Sequence, residues 1–496
     1  MNNRIDRFCL SKKTGIAIWV ALAIYWVYQI SMLSYSPMPW FDEVYFASIT
    51  DAWMNGEGFL PKVAATLQRH ETTAAYGPIY FWLTSFTVKF FGFNSFGIRI
   101  ISLVAGALCT IITYTYLSKV TTKAMGLILV LLLTFDPFWN VCLKQGRMDL
   151  VCVTFILIGL SLVYRKEQHT EFKNLLASAL LFGLSMLTNP RSGIVLIPVL
   201  VLIIWQLAVV HKSHILLITF LSPIAILYSS WVFIGFGGFT DWYSFYAGLL
   251  AGGDTTAVHG YLGGRGYIPK HEWLLIFTTL ICLALKFRSN GRSAFDWFDL
   301  TILSYLICYY LFVLDWGPYS VYVIPFYYML IIKSLSGLPI KAVWIIAPLL
   351  MLNLAFVGTK SLYEISSLEA RKTAQIESFI NLHIPKGSKV IGSEAFYYIN
   401  RNAGNAYELS NRCGTDSQRA EALKNQFGYD YLIIGFDEKI LQPEVAQCFL
   451  KNHRLEKIAV FEKKPTEFSN LLLTLPFFNS IEKHAYACTI YRRIKR

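Results

Sequence analysis

The chain has 496 residues, of which 55% are hydrophobic and only 15% charged, and its mean hydropathy is +0.46. Globular domains carry about 25% charged residues, so this composition excludes an ordinary soluble protein, a disordered chain, a coiled coil and a disulfide-stapled scaffold, and describes a multi-spanning membrane protein. Lys and Arg number 44 against 31 Asp and Glu, a net +13. In a membrane chain such a surplus is read first as topology, and it gives no argument for nucleic acid.

A helix needs about 20 apolar residues to cross a bilayer, fewer where its ends are snorkelled or the membrane thins locally. Eleven segments meet this description: 15–35, 98–117, 124–137, 148–164, 174–188, 193–210, 215–234, 271–285, 298–314, 319–332 and 342–357. With the N-terminus cytoplasmic, the inside segments 1–13, 118–123, 165–173, 211–214, 286–292 and 333–341 hold 15 Lys/Arg in 48 residues. The outer connections hold nine over more than twice that length, which satisfies the positive-inside rule at every turn. Eleven spans then place the C-terminus outside.

Tyr76 to Phe93 is apolar enough to be mistaken for a twelfth span. Counting it would move Lys119, Lys123, Arg165, Lys166, Arg288 and Arg292 outside, so the segment is expected to be an interfacial or partly embedded helix entered through Gly77-Pro78. The first apolar stretch is a full-length span with no small-residue cleavage site after it, and reads as an anchor.

The membrane module is therefore expected over residues 1–357, with long outer loops at 36–99 and 235–270, followed by a polar tail at 358–496. The tail offers a helix from Glu369 to Leu382 and strand-like runs at Lys389 to Ile391, Tyr429 to Phe436, Lys457 to Phe461 and Cys488 to Ile494. It reads as a soluble, extracytoplasmic α/β domain with a mild net charge of +5. Of the nine cysteines only Cys413, Cys448 and Cys488 fall in it, which allows one disulfide and no framework. No Walker loop, GxGxxG, HExxH or internal repeat is present.

The densest chemistry lies just outside the first span, in Trp40-Phe41-Asp42-Glu43-Val44-Tyr45-Phe46-Ala47-Ser48-Ile49. Tyr45, Ile49, Ala52 and Trp53 follow helical spacing, so the segment is expected to be an amphipathic helix in the interface with two adjacent carboxylates at its N-terminus. Residue physics leaves two readings open for Asp42: a helix cap, or a group in the chemistry.

Asp42-Glu43, Tyr45, Ala47, the run Met54-Asn55-Gly56-Glu57-Gly58-Phe59 and Pro61 resemble the first external loop of GT-C membrane glycosyltransferases. The likeness is to the branch of the protein O-mannosyltransferases and aminoarabinose transferases. It continues in order through Gly77-Pro78-Ile79-Tyr80-Phe81-Trp82, Phe91-Gly92, Arg99, Asp136-Pro137, Arg147-Met148-Asp149 and Thr188-Asn189-Pro190-Arg191. The resemblance implies a polytopic helical fold and transfer of a sugar from a polyprenyl-phosphate donor, with Asp42 as the catalytic carboxylate. One departure stands out: aminoarabinose transferases place a Glu-Lys pair before the Pro for metal and phosphate, where this chain has Tyr76 with only His70 and Glu71 nearby. This disfavours aminoarabinose as the sugar.

Such a reaction needs a carboxylate for the acceptor proton and cations for the leaving lipid phosphate. Asp42 suits the first role, Glu43 could orient it or bind a divalent ion, and whether any metal is required stays open. If the acceptor is itself a phosphate, no base is required and Asp42 only positions it. Arg147, Arg191 and Arg265 are the phosphate candidates by their permanently charged forks, Arg265 foremost because it lies in Gly263-Gly264-Arg265-Gly266-Tyr267. Asp149, two residues after Arg147, is expected either to line the site or to pair with that arginine, and Tyr45 is a further candidate substrate contact. Asp136, before Pro137, reads as a helix-end residue.

Many aromatics, Trp40 and Tyr319 among them, cluster on the expected outer side, mostly as belt anchors. The expected partners are membrane lipids, the lipid-linked donor and a lipid, glycan or protein acceptor; the expected location is a bacterial inner membrane. The competing class is a multi-pass transporter or flippase, which would show broken, ionisable helices near the midplane and paired halves.

Overall fold

The computed structural model describes residues 11–63, 76–164, 171–250, 270–290, 295–312, 317–336, 339–410, 427–435, 446–447, 449–450, 454–463, 466–475 and 486–494. The chain begins with α1 (Lys12–Met32), α2 (Phe41–Met54), α3 (Ile79–Phe91), α4 (Ser95–Val120) and α5 (Lys123–Thr134). It continues with α6 (Pro137–Leu143), α7 (Asp149–Val163), α8 (Phe172–Met186), α9 (Pro190–Trp205), α10 (His214–Phe236) and α11 (Phe239–Leu250). Then come α12 (Lys270–Asn290), α13 (Trp297–Phe312), α14 (Ile324–Leu335) and α15 (Pro339–Ser366).

Each of the eleven apolar segments falls on helical residues. Among the described residues five helices are long and apolar enough to cross a membrane: α1, α4, α9 with its π-helical extension to Val210, α10 and α15. A sixth span is made if α5 and α6, bent by 69°, count as one. The bend has a local cause. Pro137 cannot donate to the preceding turn, and the Asp136 carboxylate accepts the Trp139 N–H at 2.9 Å to start a new helix. α7, α8, α13 and α14 are apolar but shorter.

The doubtful segment at 76–93 forms α3, thirteen residues long, or about 20 Å against a hydrocarbon core of about 30 Å. It starts directly after Gly77-Pro78. Gly77 has φ +60°, and a Cβ there would fall 1.9 Å from the Leu187 carbonyl oxygen, so only glycine makes this entry. Trp82, Phe86 and Phe90, four residues apart, are exposed on one face while Tyr80, Phe81, Thr84 and Val88 are buried on the other.

The C-terminal region holds α16 (Leu368–Arg371), α17 (Thr373–His383), α18 (Tyr397–Asn402) and α19 (Glu467–Leu473) around a sheet of β1 (Lys389–Gly392), β2 (Ala406–Leu409), β3 (Tyr431–Gly435), β4 (Leu455–Phe461) and β5 (Cys488–Arg493). The strand order is β2-β1-β3-β5-β4. β1 runs parallel to β2 and β3, and β5 runs antiparallel to β3 and β4. Cys488 is buried at the start of β5, while Cys413 and Cys448 lie outside the described residues.

The boundary expected at residue 358 falls inside α15, which runs on to Ser366. The core is likewise continuous across it. Ile376, Ile380, Val390, Phe396, Tyr397, Tyr398 and Ile490 pack in one cluster with Met38, Val44 and Ala47 of the first outer segment and with Val88 and Ile98 of α3 and α4. The sheet therefore shares its apolar core with the helix that carries the two carboxylates.

Candidate active site

The extended backbone of Trp40 opens α2, and its side chain makes no cap bond, so the cap position belongs to Trp40 and not to Asp42. Ten of the fourteen residues of α2 are buried, Glu43 to Ala52 without interruption, because the helix is covered by α3 and by the C-terminal cluster. Asp42 is the exception at its start, with its side chain 21% exposed.

Arg147 approaches Asp42 from the segment between α6 and α7. Its Nη1 donates to Asp42 Oδ2, and its Nε donates to Asp149 Oδ2 at 2.6 Å. Asp149 Oδ1 accepts from Asn189 Nδ2 at 3.2 Å, and the Arg147 carbonyl accepts from the Ser102 hydroxyl at 2.8 Å. Three aromatic rings surround the guanidinium: its Cζ lies 5.5 Å from the centre of Trp40, 5.9 Å from Phe46 and 5.3 Å from Tyr319. Burial works against the charge, but Asp149 and Asp42 outweigh it and hold Arg147 firmly protonated. A permanently charged fork thus lies between two carboxylates, one buried and one open to solvent.

Glu43 points into a different environment. It is fully buried, accepts from Arg99 Nε at 2.8 Å and from the Tyr398 hydroxyl at 3.2 Å, and the backbone N–H of Gly146 is directed at the same carboxylate. Arg99 in turn donates through Nη1 to the Leu33 carbonyl at 2.8 Å. Full burial pushes the Glu43 carboxyl above its ordinary range, against the pull of these three donors. Glu43 sits away from the open face, in a polar node behind α2.

Among the other expected site residues, Tyr45 is buried in the aromatic packing with Phe41 at 6.0 Å and Phe46 at 5.7 Å between ring centres. Arg191 lies in the first turn of α9, and its side chain is outside the described residues, as is Arg265 entirely. His70 and Glu71 also lie outside them. The structure therefore brings together Asp42, Arg147 and Asp149. No group of three or more His, Cys, Asp or Glu side chains that could hold a metal ion occurs among the described residues.

Several members of the site carried no local signal. Asn189 and Arg99 stand in the motifs but were assigned no role by spacing, and Tyr319 and Trp40 read only as belt aromatics. Tyr398, 355 positions from Glu43, could not be placed by any pattern. Behind the site, Lys144 and Glu364 form a buried ion pair, joined by Tyr28 at 2.7 Å and Ser36 at 2.8 Å on the Glu364 carboxylate. Asp136, the cap of α6, is fully buried against Tyr328 at 2.7 Å and His271 at 2.5 Å.

Residues 75–232 match the family model described as dolichyl-phosphate-mannose-protein mannosyltransferase. No curated sequence matches the chain. Among solved structures, the chain resembles ArnT from Cupriavidus metallidurans bound to undecaprenyl phosphate, with a TM-score of 0.65 and 12% identity over 98% of this chain and 99% of that one. The apo state of the same protein gives a TM-score of 0.61 at 12% identity, over 97% and 98% of the two chains. The archaeal oligosaccharyltransferase AglB from Archaeoglobus fulgidus, in complex with an inhibitory peptide and a dolichol-phosphate, is similar at a TM-score of 0.50 and 12% identity, over 89% of this chain and 72% of that one. The chain has the fold of ArnT along its full length, with five helices long and apolar enough to cross a membrane among the described residues, and its residues 75–232 match the mannosyltransferase family model.

Proposed function

We propose that the protein is a glycosyltransferase that moves a sugar from a polyprenyl-phosphate donor to an acceptor at the outer face of the membrane, with Asp42 as the catalytic carboxylate. The observation that carries this reading is the Asp42–Arg147–Asp149 array: the one solvent-open carboxylate of α2 is held by an arginine whose other side is fixed by a buried aspartate. Full-length likeness to a protein crystallised with undecaprenyl phosphate supports the lipid-linked donor.

In the reaction the acceptor oxygen attacks the anomeric carbon as the bond from that carbon to the phosphate oxygen breaks. The bonding pair leaves with the lipid phosphate, and the acceptor proton passes to Asp42, whose carboxylate is held and aimed by Arg147. Arg147, a permanently charged fork beside Asp42, is also proposed to face the departing phosphate. Arg191 and Arg265 remain the proposed additional phosphate ligands, on the strength of their charge and their motifs. The charge distribution supports eleven spans with a cytoplasmic N-terminus, an arrangement in which Asp42 and the C-terminal sheet would lie on the outer side.

The bent α5–α6 pair is the feature a transporter would share. Its one carboxylate, Asp136, is fully buried in bonds to Trp139, Tyr328 and His271, which favours a structural joint over an ion path.

The deciding experiment measures release of free polyprenyl phosphate from radiolabelled polyprenyl-phosphate sugars by purified protein in lipid, with a membrane extract as the source of acceptor. Turnover in the wild type, reduced by roughly a hundred- to ten-thousandfold in Asp42→Asn, is expected for a lost general base. No turnover with any donor would overturn the reading.

A further inference from the structure

The short helix α18, far down the chain, grips the catalytic helix α2 at two points. Tyr398 donates its hydroxyl to Glu43 Oε1 at 3.2 Å, next to Asp42. Three residues on, Arg401 binds Asp51 through Nε at 2.8 Å and Nη2 at 3.0 Å. Residues three apart share a helix face, so one face of α18 fixes both ends of a nine-residue stretch of α2, about 12 Å long.

The Glu43 carboxylate also reaches the other half of the site. Besides Tyr398 it takes Arg99 Nε at 2.8 Å and faces the N–H of Gly146, the residue immediately before Arg147. Gly146 is packed so closely that a Cβ would lie 2.9 Å from Glu43 Cγ and 2.5 Å from Ile98 Cγ2. One buried carboxylate thus ties together the C-terminal region, the helix bearing Asp42 and the segment bearing Arg147.

We infer that Tyr398 and Arg401 of the C-terminal region are positioning residues for Asp42 and Arg147, acting through Glu43 and Asp51. Three donors converge on a fully buried carboxylate, where each bond is strong and its loss is felt by the others. Tyr398 sets the Glu43 side chain; Glu43 sets the register between α2 and the Gly146-Arg147 peptide; that register sets the Asp42–Arg147 contact. Arg401 fixes the rotation of α2 from its far end. The consequence for function rests on the glycosyltransferase reading, while the geometry stands without it.

A matched control lies next door. Tyr397 is also buried and packs its ring 6.0 Å from that of Phe93, as Tyr398 does at 5.6 Å, but its hydroxyl has no hydrogen-bond partner among the described residues.

The test uses the full-length protein in lipid, with donor turnover measured on a polyprenyl-phosphate sugar that the wild type consumes and amide hydrogen exchange followed over residues 41–54 and 144–149. Tyr398→Phe is expected to lower kcat about tenfold, the scale of one hydrogen bond to a charged group, with donor KM changed by less than about twofold. Exchange should rise in both segments. Tyr397→Phe should match the wild type in every readout. Adding Tyr398→Phe to Glu43→Gln should cost little beyond Glu43→Gln alone, because the two act through one contact. Arg401→Lys should retain most of the activity that Arg401→Met loses. Wild-type kcat and exchange in Tyr398→Phe, or full additivity with Glu43→Gln, would overturn the inference. If no donor is turned over by the wild type, the functional reading fails by itself, and the exchange measurements alone decide the positioning role.

Discussion

Lys144 and Glu364, 220 positions apart, form an ion pair with both side chains almost fully buried, and through it the end of α6 is fastened to the C-terminal end of α15. The pair stands three residues before Arg147, so the last long helix of the membrane module braces the segment that carries the central arginine. Ser36 and Tyr28 complete the shell, and Arg371 bonds Ser36 at 2.8 Å.

Glu364→Ala is expected to destabilise the protein strongly, because it strands the Lys144 ammonium in a buried site; removing one partner of such a pair costs about 3–5 kcal/mol. Lys144→Met combined with Glu364→Leu should recover a good part of the loss, since it removes both charges together. Thermal unfolding in detergent or lipid reads both, and a stable single mutant would mean that water reaches the pair.

Arg147→Lys keeps the charge but loses the fork that spans Asp42 and Asp149. A single ammonium cannot hold both carboxylates in the same plane. Turnover should fall by about a hundredfold, the effect of misplacing a reacting group by about 1 Å, with little change in melting temperature. Equal activity in the lysine variant would show that charge alone suffices.

Asp149→Asn is expected to be milder than Asp42→Asn. The asparagine can still accept one bond from Arg147, while Asn189 loses a charged acceptor. A loss of about tenfold in kcat, against the far larger loss in Asp42→Asn, would follow from weakening one charge-assisted bond. Single-turnover kinetics of donor cleavage in the two variants makes the comparison; equal losses would promote Asp149 to a direct role.

Gly146→Ala puts a methyl group against Glu43 Cγ and Ile98 Cγ2 at distances no relaxed contact allows. Overpacking of this kind costs about 1–3 kcal/mol. The crowded atoms belong to the node that aligns Arg147, so turnover should fall along with stability. A variant with normal melting and normal turnover would show that the segment shifts freely, and would count against a rigid link between Glu43 and Arg147.

The helices were legible in the sequence because each covers its polar backbone with apolar side chains, and lipid enforces that pattern over every crossing. The residue pair Gly77-Pro78 announced the start of α3, which runs for thirteen residues from Ile79. Four of the five strands showed as apolar runs. Strand β2 did not, since Ala406-Tyr407-Glu408-Leu409 is four residues long and buries a glutamate. Its neighbour β1 makes it a strand by offering a parallel edge, which is information from elsewhere in the chain.

The site divided in the same way. Asp42 stood out through the resemblance of its loop to the GT-C glycosyltransferases, and Arg147 and Asp149 because charges at the ends of apolar runs are costly and few. The adjacency of Asp42 and Glu43 suggested a shared role, but consecutive residues on a helix point about 100° apart. One faces the open side and the other enters the core. The partners that fix them, Tyr398 and Arg401, belong to another element altogether and leave no trace in local spacing.

That separation also orders events during synthesis. When α2 emerges, the residues that will hold Glu43 and Asp51 have yet to be translated, and at about 5–20 residues per second they follow only after roughly 20–70 s. Throughout that interval Glu43 and Asp51 lack Tyr398 and Arg401, while Arg99 and Lys62, their partners from nearer in the chain, are already made. A nascent chain with every span of its membrane module inserted therefore still lacks the two α18 contacts to α2, and under the proposed function its turnover would arrive only when the C-terminal sheet closes over the helix.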